Sequence, residues 1–174
     1  MKATVMLRRM HRIQTPLGGL TLAATDQGLF GAWFDQQSHR PGMEDWVMAP
    51  DDPLLQRAAH QVGEYFAGAR KAFDLPLDLS RGTPFQQQVW GSLAQVPYGS
   101  TTSYAVLAAQ LGRPRAVRAV GAAIGRNPMC VILPCHRVLG ADGSLTGYAG
   151  GLDRKRRLLA LESTAPVACS GLHG

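Results

Sequence analysis

The stretch SYAVLAAQLGRPRAVRAVGAAIG, residues 103–125, decides how the C-terminal half of the chain is built. Ser103 is a good N-cap for a helix from Tyr104 to about Leu111, and Gly112 can take the left-handed conformation that ends it. Pro114 suits the start of a second helix, roughly Arg115 to Ile124, with Gly125 closing it. Two short helices joined by Leu111-Gly-Arg-Pro114 spell a helix-turn-helix. The second helix carries two arginines on a surface otherwise of Ala, Val and Gly. Small residues let its backbone approach a flat or crowded partner, with Arg118 as the long side chain reaching out. The same composition also suits a helix packed on its neighbour, its arginines extending to water.

Working outward, Thr83-Pro-Phe-Gln86 is a capping box with Pro at the first helical position. Phe85, Val89, Trp90 and Leu93 give that helix an apolar face, and Val96 to Thr102 reads as a turn. Downstream of Asn127-Pro128, Val131 to Gly140 (VILPCHRVLG) reads as a strand-like run. A turn follows at Ala141–Ser144, then a glycine-rich loop, Leu145–Gly151. Asp153 caps a final helix, Arg154 to Glu162, with Leu158, Leu159 and Leu161 facing inward. The small, polar tail 163–174 is expected to be mobile.

The first half reads as α/β. Leu20–Thr25 and Leu29–Phe34 are short apolar runs joined by Asp26-Gln-Gly28, a hairpin signal. Residues 7–14 supply a third strand, and 36–50 are loop-like. Asp52-Pro53 opens a helix with Leu55, Ala58, Ala59, Val62 and Phe66 at helical spacing, stopped by Gly68. Ala72–Leu77 reads as a last strand. The chain thus divides into an α/β domain, 1–80, and a mainly α domain, 81–174.

Of 174 residues, 45% are hydrophobic, enough for a buried core and too many for a disordered chain. No apolar run reaches the length of a membrane span, and the N-terminus lacks a signal-peptide pattern. A cytoplasmic protein is expected. The net charge of +6 is uneven: residues 1–78 hold eight Lys/Arg and nine Asp/Glu, residues 79–174 ten and three. Positions 79 to 141 contain six arginines and neither Asp nor Glu. A polyanion partner, nucleic acid first, fits that stretch as well as an ordinary basic surface does. The three cysteines, Cys130, Cys135 and Cys169, form neither a disulfide framework nor a zinc spacing.

Cys135 could attack only as a thiolate, with a base or positive charge nearby. His136 and Arg137 are adjacent in sequence, but neighbours in a strand point to opposite faces. A carboxylate to hold the imidazole is scarce in this region, and Glu162 on the final helix is the best placed. From the residue pattern alone Cys135 reads better as a buried structural thiol than as a nucleophile, and His136 as a core histidine.

Pro134-Cys-His-Arg-Val138 resembles the active-site signature of the O6-alkylguanine-DNA alkyltransferases. Thr83–Trp90, Pro97-Tyr-Gly99, Ser103-Tyr104, Arg118–Ala122, Asn127-Pro128, Thr146–Gly151 and Leu158–Glu162 follow in the family's order and spacing, over essentially all of 81–162. The resemblance implies a ribonuclease H-like α/β N-terminal domain and a mainly α, winged-helix-like C-terminal domain with a helix-turn-helix. It implies direct-reversal repair: Cys135 takes the alkyl group from O6-alkylguanine in double-stranded DNA, with O4-alkylthymine a second candidate, and is spent in one turnover. His136 acts as base through a water and is oriented by Glu162. Asn127 braces the turn before the cysteine, and Tyr104 gives a proton or hydrogen bond to the departing guanine. The carbonyls of Cys135 and Val138 and the backbone of Tyr148, Ala149 and Gly150 form the base pocket. Thr102, Ser103, Ala119, Gly121, Ala122 and Arg126 contact DNA, and Arg118 fills the place of a flipped nucleotide.

The resemblance further implies a monomer in solution, cooperative on DNA, with no cofactor. Ala149 stands where the family often has Ser, and Val117 where a smaller Ala is common. Some members hold a structural zinc in the N-terminal domain, but this chain has no cysteine before Cys130, so no metal site is expected. A non-catalytic relative that binds alkylated DNA, a helix-turn-helix regulator and a cysteine hydrolase are the rival readings.

Overall fold

The computed structural model describes residues 6–163. Ser163, the first residue of the expected mobile tail, closes the final helix instead, and 164–174 lie outside the described residues. Four strands form one sheet in the order β3-β2-β1-β4: β1 (Arg9–Thr15), β2 (Gly18–Thr25), β3 (Gly28–Phe34) and the short β4 (Val47–Met48). β1, β2 and β3 are antiparallel, and β4 runs parallel to β1. The hairpin turns at Asp26-Gln27 as its residues suggest, with Thr25 opposite Gly28. Gly28 has φ +145°, and a Cβ there would stand 2.7 Å from the Pro76 carbonyl oxygen, so this turn admits only glycine.

Helix α1 (Pro53–Phe66) covers one face of the sheet. The Asp52 side chain caps it by accepting from the Leu55 amide at 3.0 Å, with Pro53 in the first turn. Leu55, Ala58, Val62 and Tyr65 pack with Leu20, Leu22, Leu29 and Phe34 in a core continuous with that of the C-terminal half. The other face carries a separate cluster of Ala23, Phe30, Trp33 and Trp46, its rings edge-on or tilted.

The outer edge of β3 is shared by two distant segments. Leu29 donates to Pro76 O and accepts from Asp78 N; Ala32 donates to Pro128 O and accepts from Cys130 N at 3.0 Å. Ala72–Leu77 is therefore not the expected strand. Pro76 has no N–H to extend a ladder, and pairing stops at a single bridge, Leu29 to Leu77.

In the C-terminal half α2 (Pro84–Leu93) starts with the full capping box of Thr83 and Gln86. β5 (Thr102–Ser103) leads into α3 (Tyr104–Gln110), where Ser103 accepts from Val106 N at 3.1 Å, and Gly112 has φ +72°. α4 (Val117–Gly125) begins two residues later than its composition suggests, because Pro114 and Arg115 form a turn closed by Ala116 N donating to Arg113 O at 2.9 Å. Trp90 of α2 anchors it by donating from Nε1 to Ala123 O at 2.8 Å. β6 (Val138–Leu139) pairs with β5 in parallel. α5 (Leu152–Ser163) buries Lys155, Leu158 and Glu162; of the expected leucines, Leu158 is buried, Leu161 packs against the core and Leu159 is half-buried. Two of the three buried residues are charged, and both serve the region of Cys135.

Candidate active site

VILPCHRVLG is not a strand through its length. Val131 has φ +73°, the left-handed region, where a β-branched residue is strained. Ile132 N donates to Cys130 O at 2.9 Å, making a three-residue turn about Val131. Cys135 N donates to Leu133 O at 2.7 Å, making another about Pro134. Cys135–Arg137 is then a single 3-10 turn, and only Val138–Leu139 is extended. Two tight turns and a proline without an N–H break the ladder that an apolar run would otherwise form. The strand-based objection to Cys135 and His136 sharing a site lapses with the strand.

Asn127 holds this fold in place. Its Oδ1 accepts from Met129 N at 2.9 Å, and its Nδ2 donates to Leu133 O at 2.9 Å. It is buried, so its bonds are made without competition from water.

His136 is fully buried. Its Nε2 lies 2.7 Å from Glu162 Oε2. A carboxylate there can only accept, so Nε2 carries the proton and Nδ1 keeps a free lone pair. Nδ1 is buried with no hydrogen-bond partner, which leaves it as the base position. Burial lowers the pKa of His136 against the opposing pull of Glu162, so the ring is neutral at neutral pH.

Glu162 gathers four donors. Besides His136, Arg137 donates from Nε (2.8 Å) and Nη2 (2.9 Å), and Tyr65 OH donates at 2.6 Å. Burial pushes the Glu162 carboxyl up, but bonds from His136, Arg137 and Tyr65 outweigh it and carry it down to about 2. Arg137 thus faces away from the thiol. Its Nη1 donates to Val96 O at 2.6 Å and its guanidinium lies over the Tyr98 ring. Sequence adjacency had made Arg137 a candidate activator of Cys135; its place is behind the histidine.

Lys155 is the cation the sequence reading missed. It is fully buried, and Nζ donates to the carbonyls of Val138 (2.6 Å), Thr146 (2.7 Å) and Gly147 (3.2 Å). It ties the glycine-rich loop to β6. Burial lowers its ammonium to about 8, while Cys135 pulls the other way. The Cys135 thiol itself is lowered: the Cys130 thiol favours its charged form, burial opposes, and Asn127 and Lys155 add to the lowering.

Cys135 lines a cavity of about 300 Å³ with Ser38, His39, Tyr104, Gly121, Ile124, Gly125, Gly147, Tyr148 and Ala149. The structure thus brings Cys135, Tyr104, Gly121, Tyr148 and Ala149 to one cavity, backed by Asn127, His136 and Glu162. Tyr104 OH donates to Thr146 O at 3.3 Å. Val138 and Gly150 are buried outside the cavity wall, and the Val138 carbonyl is engaged by Lys155. Ser38 and His39 come from the loop after β3, where Ser38 N donates to Ala149 O at 2.9 Å. Nothing in their local sequence marked them.

Arg118, Ala119 and Ala122 are exposed on α4, opposite the buried Val120, Ala123 and Ile124. Thr102 and Ser103 are half-buried on β5, with the Ser103 hydroxyl occupied as a cap. Arg126 is exposed beyond α4 and borders a second cleft of about 290 Å³, with Phe30, Trp33 and Arg81. Among the described residues no group of three or more His, Cys, Asp or Glu is placed to hold a metal.

A cysteine of lowered pKa at a cavity walled by a helix-turn-helix fits the class of thiol-based group-transfer proteins that act on DNA. Residues 84–164 match "6-O-methylguanine DNA methyltransferase, DNA binding domain", and residues 9–79 match its "ribonuclease-like domain". The chain belongs to the 6-O-methylguanine DNA methyltransferase family. It is similar to the methylated-DNA–protein-cysteine methyltransferase of Mycobacterium tuberculosis strain H37Rv, 50% identical over 156 residues, which cover 89% of this chain and 93% of that one. The constitutive Bacillus subtilis protein of that name is 45% identical over 146 residues, 79% of this chain and 84% of that one. The M. tuberculosis OGT solved in complex with DNA matches with a TM-score of 0.82 at 47% identity, covering 93% of this chain and 96% of that one.

Proposed function

We propose that this protein repairs DNA by moving an alkyl group from O6 of guanine to Cys135. The observation that carries this reading is the placement of a thiol of lowered pKa in a cavity walled by α4 of the helix-turn-helix. The similarity to curated methylated-DNA–protein-cysteine methyltransferases supports it.

The thiolate attacks the alkyl carbon; the S–C bond forms as the C–O6 bond breaks. His136 Nδ1 accepts the thiol proton through a water, with Glu162 fixing the ring. The guanine oxyanion takes a proton or hydrogen bond from Tyr104. The product thioether is not cleaved by water, so each chain acts once. Cys135 is buried at the wall of this cavity, so a base reaches its sulfur only when turned out of the stack, which costs a few kcal/mol of unstacking. Arg118, on the exposed face of α4, occupies the gap left behind, and the slim Ala119/Ala122 surface sits in the minor groove. The protein works as a monomer in the cytoplasm and binds cooperatively along DNA, with O4-alkylthymine a second substrate.

Incubation with a duplex containing O6-methylguanine is expected to add one methyl mass per chain, mapped to Cys135 and absent in Cys135→Ala. Tight binding without mass gain would instead favour a non-catalytic binder of alkylated DNA.

A further inference from the structure

Cys130 neither meets the substrate nor moves a proton in the transfer above; its thiol lowers that of Cys135, and it does not line the cavity. The two tight turns at Val131 and Pro134 fold the chain back between the two cysteines, and each thiol shifts the other's hold on its proton, as neighbouring groups do. Cys130 is fully buried and fixed at its backbone by Ala32. Its Sγ donates to Gln37 Oε1 at 3.3 Å, a carbonyl that also accepts from Phe34 N at 2.7 Å. The hydroxyl of Tyr148 ends beside it, buried and without a well-formed hydrogen bond. Cys135 lines the cavity and Cys130 does not. The proton of the pair stays on Cys130, whose thiol Cys135 and burial push up.

A small oxidant entering the cavity therefore meets Cys135 first, with a second thiol directly behind it. We propose that Cys130 is a resolving thiol: after attack by a hydroperoxide, Cys130 and Cys135 close to a disulfide that withdraws the nucleophile reversibly. In the first step the Cys135 thiolate attacks the peroxide oxygen; the O–O bond breaks, leaving a sulfenic acid and, from hydrogen peroxide, a hydroxide that takes the thiol's proton back from His136 as water. In the second, Cys130 sulfur attacks Cys135 sulfur; the S–O bond breaks, and the hydroxide leaves with the Cys130 proton as water. Two thiols are oxidised and one peroxide is reduced. A thiol reductant restores the pair, whereas a sulfenic acid with no partner advances to sulfinic acid, which thiols do not reverse.

The inference rests on Cys135 as nucleophile, and the test separates the two. Asn127–Arg137 is one tryptic peptide carrying both cysteines. Hydrogen peroxide added to the full chain is expected to make this peptide lighter by two hydrogens. Methyl transfer should fall with it and return almost fully with dithiothreitol. Cys130→Ser and Cys130→Ala, each compared with its own untreated activity, should instead gain two oxygens at Cys135 and recover about a tenth or less. Cys169→Ser should behave as the parent. Absence of the lighter peptide, recovery in the Cys130 variants equal to the parent, or loss of the disulfide in Cys169→Ser would overturn the proposal. Failure of the reduced parent to gain methyl would count against the transfer reading alone.

Discussion

At Glu162 one carboxylate takes hydrogen bonds from His136, Arg137 and Tyr65, and removing it strands all three. Glu162→Ala leaves a buried guanidinium without its counter-ion, so a loss of about 3–5 kcal/mol in denaturant unfolding is expected. The carboxyl stands near 4.5 in an ordinary setting and at about 2 here. Its contribution is therefore complete above about pH 4.5 and lost as pH falls through about 2. An acid titration should show unfolding steepen in that window, and Glu162→Gln should flatten it; an unchanged acid limb would refute the assignment. Lys155→Met keeps the apolar stem but leaves three carbonyls without their donor. It should cost about 2–3 kcal/mol by chemical denaturation and slow alkyl transfer to a comparable degree. Cys135, His136, Asn127 and Glu162 were legible because chemistry-bearing residues are few in this stretch and match a known order. Lys155, Ser38 and His39 were not: a lysine on a basic helix looks solvated, and loop residues some hundred positions from the thiol carry no local sign of where the fold will bring them.

At the level of elements, three of the four expected caps hold, and Asp153 falls inside α5, which already starts at Leu152. Asp52-Pro53, Thr83–Gln86 and Ser103 each start a helix where their side chains can accept an amide. Strands read from apolar runs failed twice, at 72–77 and 131–137, and each failure contains a proline that cannot donate to a ladder. The pair α3 and α4 kept its helix-turn-helix order, with α4 starting late because Pro114 and Arg115 are taken up in a turn. Trp90→Phe removes the indole donor to Ala123 O inside α4 and should cost about 1–3 kcal/mol of stability, measured by urea unfolding. Arg118→Ala should weaken repair of duplex DNA more than reaction with a free O6-alkylguanine base. Equal losses in the two assays would remove Arg118 from base flipping.

Across the whole molecule, charge and topology act together. The stretch 79–141 without a carboxylate contributes the exposed Arg113, Arg115, Arg118 and Arg126. Duplex affinity should fall linearly with the logarithm of salt concentration, and Arg115→Ala should reduce that slope by about 0.9 if its guanidinium meets a phosphate. An unchanged slope would place Arg115 off the DNA backbone. The division into an α/β half and a helical half was visible from composition and caps. What composition could not show is that the β3 edge holds the segment before Cys135, because such pairing depends on partners nearly a hundred residues apart.

That shared edge has a consequence for the order in which a growing chain acquires chemistry. Ala32 must meet Pro128 and Cys130, and Tyr65 must meet Glu162, before the thiol has its cradle. Glu162 follows Cys135 in the chain, so an emerging polypeptide carries the cysteine before the carboxylate that holds His136 has been made. Contacts this distant in sequence close late. A protein with one thiol to spend is thereby kept dull while it is being made, and becomes reactive only when the finished cavity can choose what reaches the sulfur.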